Sequence, residues 1–235
     1  MRTSHDRTKI RQRRIMTYFI EAADKIIKEE GVGAVTIRKA ADMAGYTSAT
    51  LYSYFDNLTH LVFLATMNQL DKYNAAIPRY LTNCKNSVDR YLAISECFTE
   101  YAYDSPEIYE LLFFKHRDEK LEEYTKQYYD LFPEKSVTNC PAPFFKIFHL
   151  NNISTRSSIM LDDCVNDGFM TKENAEDFNA VAIMVSKCIL QDVRAGVVDK
   201  YVGFEKTMKY YRQLMRGYMK PEWRSLVAEE GRASA

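Results

Sequence analysis

Apolar side chains recur every three or four residues along most of this chain and almost nowhere at every second residue, a period that predicts helices and no strands. Over residues 11–30 the repeat is Ile15, Phe19, Ala22, Ile26 and Ile27, and it stops at Gly31-Val32-Gly33. The next stretch, 36–55, reads as two short helices joined by a tight turn. Thr36 offers its hydroxyl as an N-cap, and Ile37, Ala40, Ala41 and Ala44 fall on one face. Gly45 stands where that helix must stop, because a residue without Cβ enters the left-handed region cheaply. Thr47 and Ser48 can cap the second helix, whose face is Ala49, Leu51, Tyr52 and Phe55. Alanines suit two helices crossing steeply on so short a connection.

Beyond the pair, Asp56-Asn57 caps a fourth helix carrying Leu58, Leu61, Val62, Ala65, Leu70 and Tyr73, which Pro78 is expected to break. Further helices are predicted near 88–103, 106–114, 119–132, 152–167, 172–195 and 204–219, with an irregular loop over 133–150 around Pro141 and Pro143 and a frayed tail after Trp223. The fold class is therefore all-α. A three-helix helix-turn-helix domain occupies 1–56, opening with a basic arm at 1–14. A larger helical bundle fills 57–225, and 226–235 is a frayed tail.

Composition changes this picture little: 235 residues with 46% apolar content can bury a core. Charge changes it more. The formal net charge is zero, so affinity for a polyanion must come from a local cluster. Arg2, Arg7, Lys9, Arg11, Arg13 and Arg14 against Asp6 form one. Alone such a run reads equally as a solvated tail, but beside a helix-turn-helix it points to phosphate contact. The second helix of the pair presents Thr47, Ser48, Thr50, Tyr52, Ser53 and Tyr54, hydrogen-bonding groups suited to base edges and phosphates, and Arg38 and Lys39 on the first can neutralise charge. Cys84, Cys97, Cys140, Cys164 and Cys188 make no C-x-x-C, and His60 and His149 lack partners at metal-ligand spacing, so no metal site is expected. A reducing cytoplasm, no signal peptide and no membrane span are the expectations. With no G-x-S-x-G, P-loop or nucleotide-binding glycine pattern, neither an enzyme nor a cofactor is expected.

The run T-I-x-x-x-A-x-x-A-G-Y-T-S-A-T-L-Y-S-Y-F-D-N, followed by Leu61 and an all-helical remainder, closely resembles the tetracycline-repressor-like (TetR/AcrR) transcriptional regulators. The resemblance implies a homodimeric repressor that binds a palindromic double-stranded DNA operator and is released when its C-terminal domain takes up a small-molecule inducer. By position, Thr36 matches a phosphate-touching cap, Thr47, Ser48 and Ala49 fall where bases are met, and Tyr52 and Tyr54 match backbone contacts. Arg11 and Tyr46 join this DNA-facing set. Two positions depart from the family pattern: Leu58 stands where lysine is common, and Tyr46 where a smaller aliphatic is usual, so that it either fills the turn or faces the groove.

Most of the C-terminal aromatics and methionines are core on their spacing alone, and a subset lining a cavity would favour an apolar or aromatic inducer. Its candidates are Phe98, Tyr101, Phe113, Phe145, Phe148 and Met160, with His116, Arg117, Asn152 and Arg156 as orienting groups. Two stripes on the last long helices, Phe178, Val181, Ala182, Val185 and Ile189, and Met208, Tyr211, Leu214, Met215 and Tyr218, read either as intramolecular core or as a twofold four-helix dimer interface. An architectural or cell-division DNA binder, using its bundle for a protein partner, is the rival reading.

Overall fold

The computed structural model describes residues 4–114, 120–133 and 152–227, and among these every regular element is helical. Packing divides them into two compact units, one of residues 4–71 with 120–133 and the other of 72–114 with 152–227. A cut at 56/57 marks the end of the helix-turn-helix motif, whereas packing carries the first unit on to Asp71 and brings in a later helix.

In the first unit, α1 (Ser4–Glu30) buries Ile15, Met16, Phe19, Ile20, Ala23, Ile26 and Ile27 along one stripe. It begins seven residues earlier than the apolar period predicts. The expected arm is helical from Ser4, and within it Arg7, Lys9, Arg11, Gln12, Arg13 and Arg14 are good helix formers. Gly31, at φ 88°, ends α1, and a 3₁₀ turn at Val32–Ala34 leads into α2 (Ile37–Ala44). Thr36 Oγ1 accepts from Lys39 N at 3.2 Å, and Gly45, at φ 76°, closes the helix through its N–H to Ala41 and Asp42 carbonyls. Ala40 and Ala41 are buried, but Ile37 and Ala44, read as inner-face residues, are only half-buried.

α3 (Ser48–Tyr52) is capped by Thr47 Oγ1, which accepts from Thr50 N at 3.2 Å. Phe55 lies beyond its end, yet the ring is buried edge-on to Phe19 at 5.8 Å. α4 (Leu58–Leu81) starts on Asn57 Oδ1, which accepts from His60 N at 2.9 Å. Pro78 does not break it. The proline removes one intrahelical donor, but burial of Tyr73, Asn74, Ala76 and Ile77 in the preceding turns holds the helix through to Leu81.

The first unit is completed by α7 (Lys120–Leu131). His60 stacks on Tyr124 at 3.9 Å, while Tyr128 donates to Asp71 Oδ2 at 2.6 Å and to Asn68 Oδ1 at 3.1 Å.

In the second unit, α5 (Ser87–Asp104) packs against α6 (Pro106–Phe113), α8 (Ile153–Asn166), α9 (Lys172–Arg194) and α10 (Lys200–Tyr218). Pro106 sits in the first turn of α6, where its missing N–H costs nothing. α10 starts at Lys200, four residues before the predicted start, on Asp199 Oδ1, which accepts from Tyr201 N at 2.8 Å. Its first turn exposes Tyr201 and Val202, so no inward period announces it. The segment after Trp223 is not frayed at 226 and 227: a 3₁₀ helix runs over Pro221–Leu226, Val227 is buried, and Lys220 N donates to Phe169 O at 2.9 Å.

Candidate nucleic-acid interface and effector cavity

The helix-turn-helix surface follows from what its own fold consumes. Leu51 and Phe55 are buried, so the opposite side of α3 faces outward. Thr36, Thr47, Ala49, Tyr52 and Ser53 are exposed, with Tyr52 at 60%, and Ser48, Thr50 and Tyr54 are half-buried. Thr36 and Thr47 spend one lone pair each on capping. Thr47 Oγ1 also lies 3.0 Å from Thr50 Oγ1, and Ser53 Oγ donates to Ala49 O at 3.2 Å. On α2, Arg38 is exposed with Asp42 at 3.8 Å, whereas Lys39 forms an ion pair with Glu30. Tyr46 fills the turn: its ring lies 5.4 Å from Phe19 and 6.2 Å from Tyr18.

The helical arm adds a second feature. Arg7, Arg11 and Arg14 are exposed at i, i+4 and i+7, hence on one side of α1, and Tyr18 continues that side to the motif. Arg14 Nε donates to Tyr18 OH at 3.0 Å, with its guanidinium carbon 5.8 Å from that ring. Hydrogen bonding to Tyr18 holds the Arg14 guanidinium above its ordinary pKa. A cationic row therefore leads to Tyr46 and the start of α3. Arg13 points elsewhere, over Phe132 at 5.7 Å. Sequence reasoning named Arg7, Arg11 and Arg14 together in the basic arm and singled out Arg11; their place on one side with Tyr18 was available in the chain once a helix from residue 4 was assumed.

Behind this surface His60 is a structural group. Its Nδ1 accepts from Asp56 N at 3.2 Å and its Nε2 lies 2.7 Å from Gln127 Oε1, which fixes the neutral tautomer with the proton on Nε2. Burial pushes its pKa below the ordinary value. Leu58, where a lysine was expected from the family pattern, is half-buried at the start of α4.

The second unit contains a narrow cavity of ≈ 30 Å³ lined by residues of α4, α5, α8, α9 and α10. That is room for a water molecule or two. Of the expected ligand residues, Phe98, Arg156 and Met160 line it. Phe113 is adjacent, 5.5 Å from the Arg156 guanidinium carbon. Tyr101 and Asn152 do not line it; Tyr101 is half-buried against Tyr73 at 6.2 Å, and Asn152 is the exposed N-cap of α8. His116, Arg117, Phe145 and Phe148 lie outside the described residues, as do the 134–150 part of the expected loop, His149, Cys140 and Arg2. Sequence reasoning missed Tyr73, Tyr91, Ser157 and Tyr211. Tyr91 OH and Ser157 Oγ are 3.0 Å apart, and Ser186 Oγ and Tyr211 OH 2.8 Å. Burial raises Tyr91, and takes Tyr211 up to about 12, so both hydroxyls stay protonated at neutral pH.

Comparison with known proteins bears on the first unit directly. Residues 19–64, from Phe19 in α1 to Leu64 in α4, match the model of bacterial regulatory proteins of the tetR family. The likeness to this family rests on these residues of the helix-turn-helix segment. It is 32% identical over 84 residues to the HTH-type transcriptional regulator HbdR of Aromatoleum sp. (strain CIB), a match spanning 36% of this chain and 34% of that protein, so the chain is matched to about a third of that relative's length. Among solved structures, RolR in complex with resorcinol superposes with a TM-score of 0.58 at 12% identity, covering 94% of this chain and 95% of that one. A TetR transcription regulator from Haloarcula marismortui gives 0.55 at 13%, covering 88% and 98%. Both likenesses concern the fold: a TetR-type helix-turn-helix followed by a helical domain.

The two stripes expected at a TetR dimer interface are largely used inside the chain. Phe178, Ile189, Met208, Tyr211 and Met215 are buried in the second unit, while Val181, Val185 and Tyr218 are half-buried. The period locates an apolar face without telling which neighbour covers it. The exposed large apolar groups of these helices are others: Met184 on α9, and Tyr201, Val202 and Tyr210 on α10. Cys97 and Cys164 are buried, with thiols pushed up by burial to about 12 and about 11, and Cys188 is exposed. Among the described residues no group of His, Cys, Asp or Glu could hold a metal ion, and no helix is long and apolar enough to cross a membrane.

Proposed function

We propose that this chain is a ligand-responsive transcriptional regulator of the TetR family that binds a palindromic DNA operator as a homodimer in the cytoplasm and releases it when a small molecule occupies the second unit. The observation that carries the reading is the outward set on α3, Thr47, Ser48, Ala49, Tyr52 and Ser53, flanked by the cationic row of α1 and borne on a motif whose caps and core are satisfied internally. Base-edge groups on a short rigid helix specify sequence, and arginines beside it supply affinity. Thr36 and Tyr54 are assigned to the DNA backbone, with Arg38, Lys39 and Thr50 at its margin. Tyr46 supports α3 through its ring. The dimer is assigned to a twofold pairing of α9 and α10 through Met184, Tyr201, Val202 and Tyr210, with the half-buried Val181, Val185 and Tyr218 at its edge.

Release follows as a population shift. A ligand larger than water must part the walls of the cavity, which include Tyr73 of α4, and the state with parted walls is stabilised only by the ligand's preference for it. α4 begins three residues after Phe55. Selection of bound duplexes from a random pool by the full chain should return a palindrome with half-sites roughly 34–36 Å apart. Ser48→Ala, which removes no cap, should change the selected bases. A uniform loss on all duplexes would refute base reading by α3, and selection of no sequence would refute the regulator.

A further inference from the structure

The cavity wall of the second unit carries hydroxyls on Tyr91, Ser95, Ser157 and Tyr211, whose protons can be assigned one by one. Tyr211 OH donates to Ala182 O at 3.2 Å, so the proton between it and Ser186 Oγ, 2.8 Å away, is the serine's. Ser95 Oγ donates to Tyr91 O at 2.8 Å. Tyr91 OH and Ser157 Oγ lie 3.0 Å apart, and only one of their two protons fits between them. The other has no acceptor within hydrogen-bond distance among the described residues. Tyr91 is 2% exposed and Ser157 4%, and a donor buried without an acceptor is costly. Where α5 meets α8, the wall therefore calls for an acceptor atom.

The surroundings favour an uncharged one. Burial keeps the Tyr91 and Tyr211 phenols protonated at neutral pH. Arg156, the charged group of the wall, is already engaged: Nη2 donates to Asn74 Oδ1 at 3.3 Å, and the guanidinium carbon lies 5.2 Å from the ring centre of Tyr73 and 5.5 Å from that of Phe113. An anion would lose its hydration to a wall whose cation is already partnered, and a cation would face that guanidinium. Most of the remaining wall is apolar, with Ile94, Phe98, Met160 and Ile183. On it Tyr73 and Phe98 meet edge-on at 5.8 Å, an arrangement that a further ring extends.

On the reading of the second unit as an effector domain, we propose that the cavity takes a compact, uncharged aromatic molecule with one acceptor oxygen, of the aryl ketone kind. Its oxygen accepts from the Tyr91–Ser157 pair and its ring lies against Phe98 and Met160. Because the cavity measures only ≈ 30 Å³, entry parts its walls, and a flat ring parts them less than a flexible chain of similar size.

The test is titration calorimetry on the full chain with acetophenone, ethylbenzene, hexyl methyl ketone and benzoate, followed by the effect of each on binding to a selected operator duplex. Acetophenone should bind about fivefold more tightly than ethylbenzene, the usual net contribution of one neutral hydrogen bond, and more tightly than the other two. The double variant Tyr91→Phe with Ser157→Ala removes both hydroxyls and keeps the ring, so the margin over ethylbenzene should vanish in it. Either exchange alone would leave the other hydroxyl its own proton. If the double variant fails to fold, the wild-type series decides alone. Ethylbenzene or hexyl methyl ketone binding as well as acetophenone, benzoate binding better, the margin surviving in the double variant, or none of the four binding each overturns the proposal. Benzoate or ethylbenzene binding best and loosening the operator would overturn it while leaving the effector-responsive regulator standing. Binding in the expected order with operator affinity unmoved would instead count against the regulator reading.

Discussion

The cationic row on α1 gives the most quantitative prediction. Changing Arg7, Arg11 and Arg14 together to Gln removes three exposed charges from one side of a helix without touching the buried stripe at Ile15, Met16 and Phe19. Each phosphate neutralised contributes about 0.9 to the slope of log affinity against log salt, so three contacts per subunit are worth about 2.7, and a twofold dimer loses about 5.4. If Arg14 stays on the Tyr18 hydroxyl when DNA is bound, the change per subunit falls to about 1.8. On the larger figure a tenfold reduction in salt should favour the wild type over the variant by about 500-fold per subunit. Fluorescence anisotropy over a salt series, on a selected operator and on an unrelated duplex, measures this, with circular dichroism confirming that α1 survives. Equal losses on both duplexes are expected, because phosphate contacts carry no sequence information. A slope unchanged to within about 0.3, a third of one contact, or a loss confined to the operator, would refute the role assigned to α1.

Three further outcomes follow. Because burial lowers the His60 pKa, its imidazole is neutral in the folded unit, so the stability it contributes is complete above the ordinary value near 6.5 and is lost as pH falls from there through the lowered one. Chemical denaturation at several pH values should show this loss in the wild type and a shallower pH dependence in His60→Gln; equal dependence would refute it. At Gly203 an added Cβ would lie 2.7 Å from Val193 Cγ2, a stiff β-branched side chain on a helix, whereas at Gly217 nothing lies within 4 Å. Both exchanges to Ala gain similar helix propensity, so thermal unfolding should rank Gly203→Ala below Gly217→Ala by about 1–3 kcal/mol, the usual cost of overpacking, and equal stabilities would count against the close approach. Finally, Thr47→Ser keeps the hydroxyl that caps α3 and Thr47→Ala does not; only the alanine should cost about 1 kcal/mol in denaturation, and equal losses would show that the cap is not what holds this helix end.

The helix-turn-helix was legible because its punctuation is chemical. Thr36, Gly45, Thr47 and Asn57 each sit where a cap or a positive φ is required, and no distant neighbour is needed to place them. The start of α1 was not legible from apolar period, since residues 7–14 turn no apolar stripe inward. The reach of α4 past Pro78 depends on tertiary burial that outweighs a local rule. In the second unit, Arg156 was one of four polar candidates that spacing could not rank, while Tyr73, Tyr91 and Tyr211 looked like any core aromatic and became wall residues only once five helices converged. The stripes of α9 and α10 were read correctly as apolar faces, but a face does not name its neighbour. Phe178 and Met215 turned out to belong to the chain's own core.

The chain has one tryptophan, Trp223, and its ring meets Phe169 edge-on at 5.4 Å in the segment that Lys220 ties back to the Phe169 carbonyl. Red-edge excitation therefore observes a single place, the docking of that last segment onto the second unit, while the first unit, which carries no indole, stays dark. The protein thus comes with a built-in optical probe that can follow one unit's melting separately from the far-ultraviolet signal of all its helices.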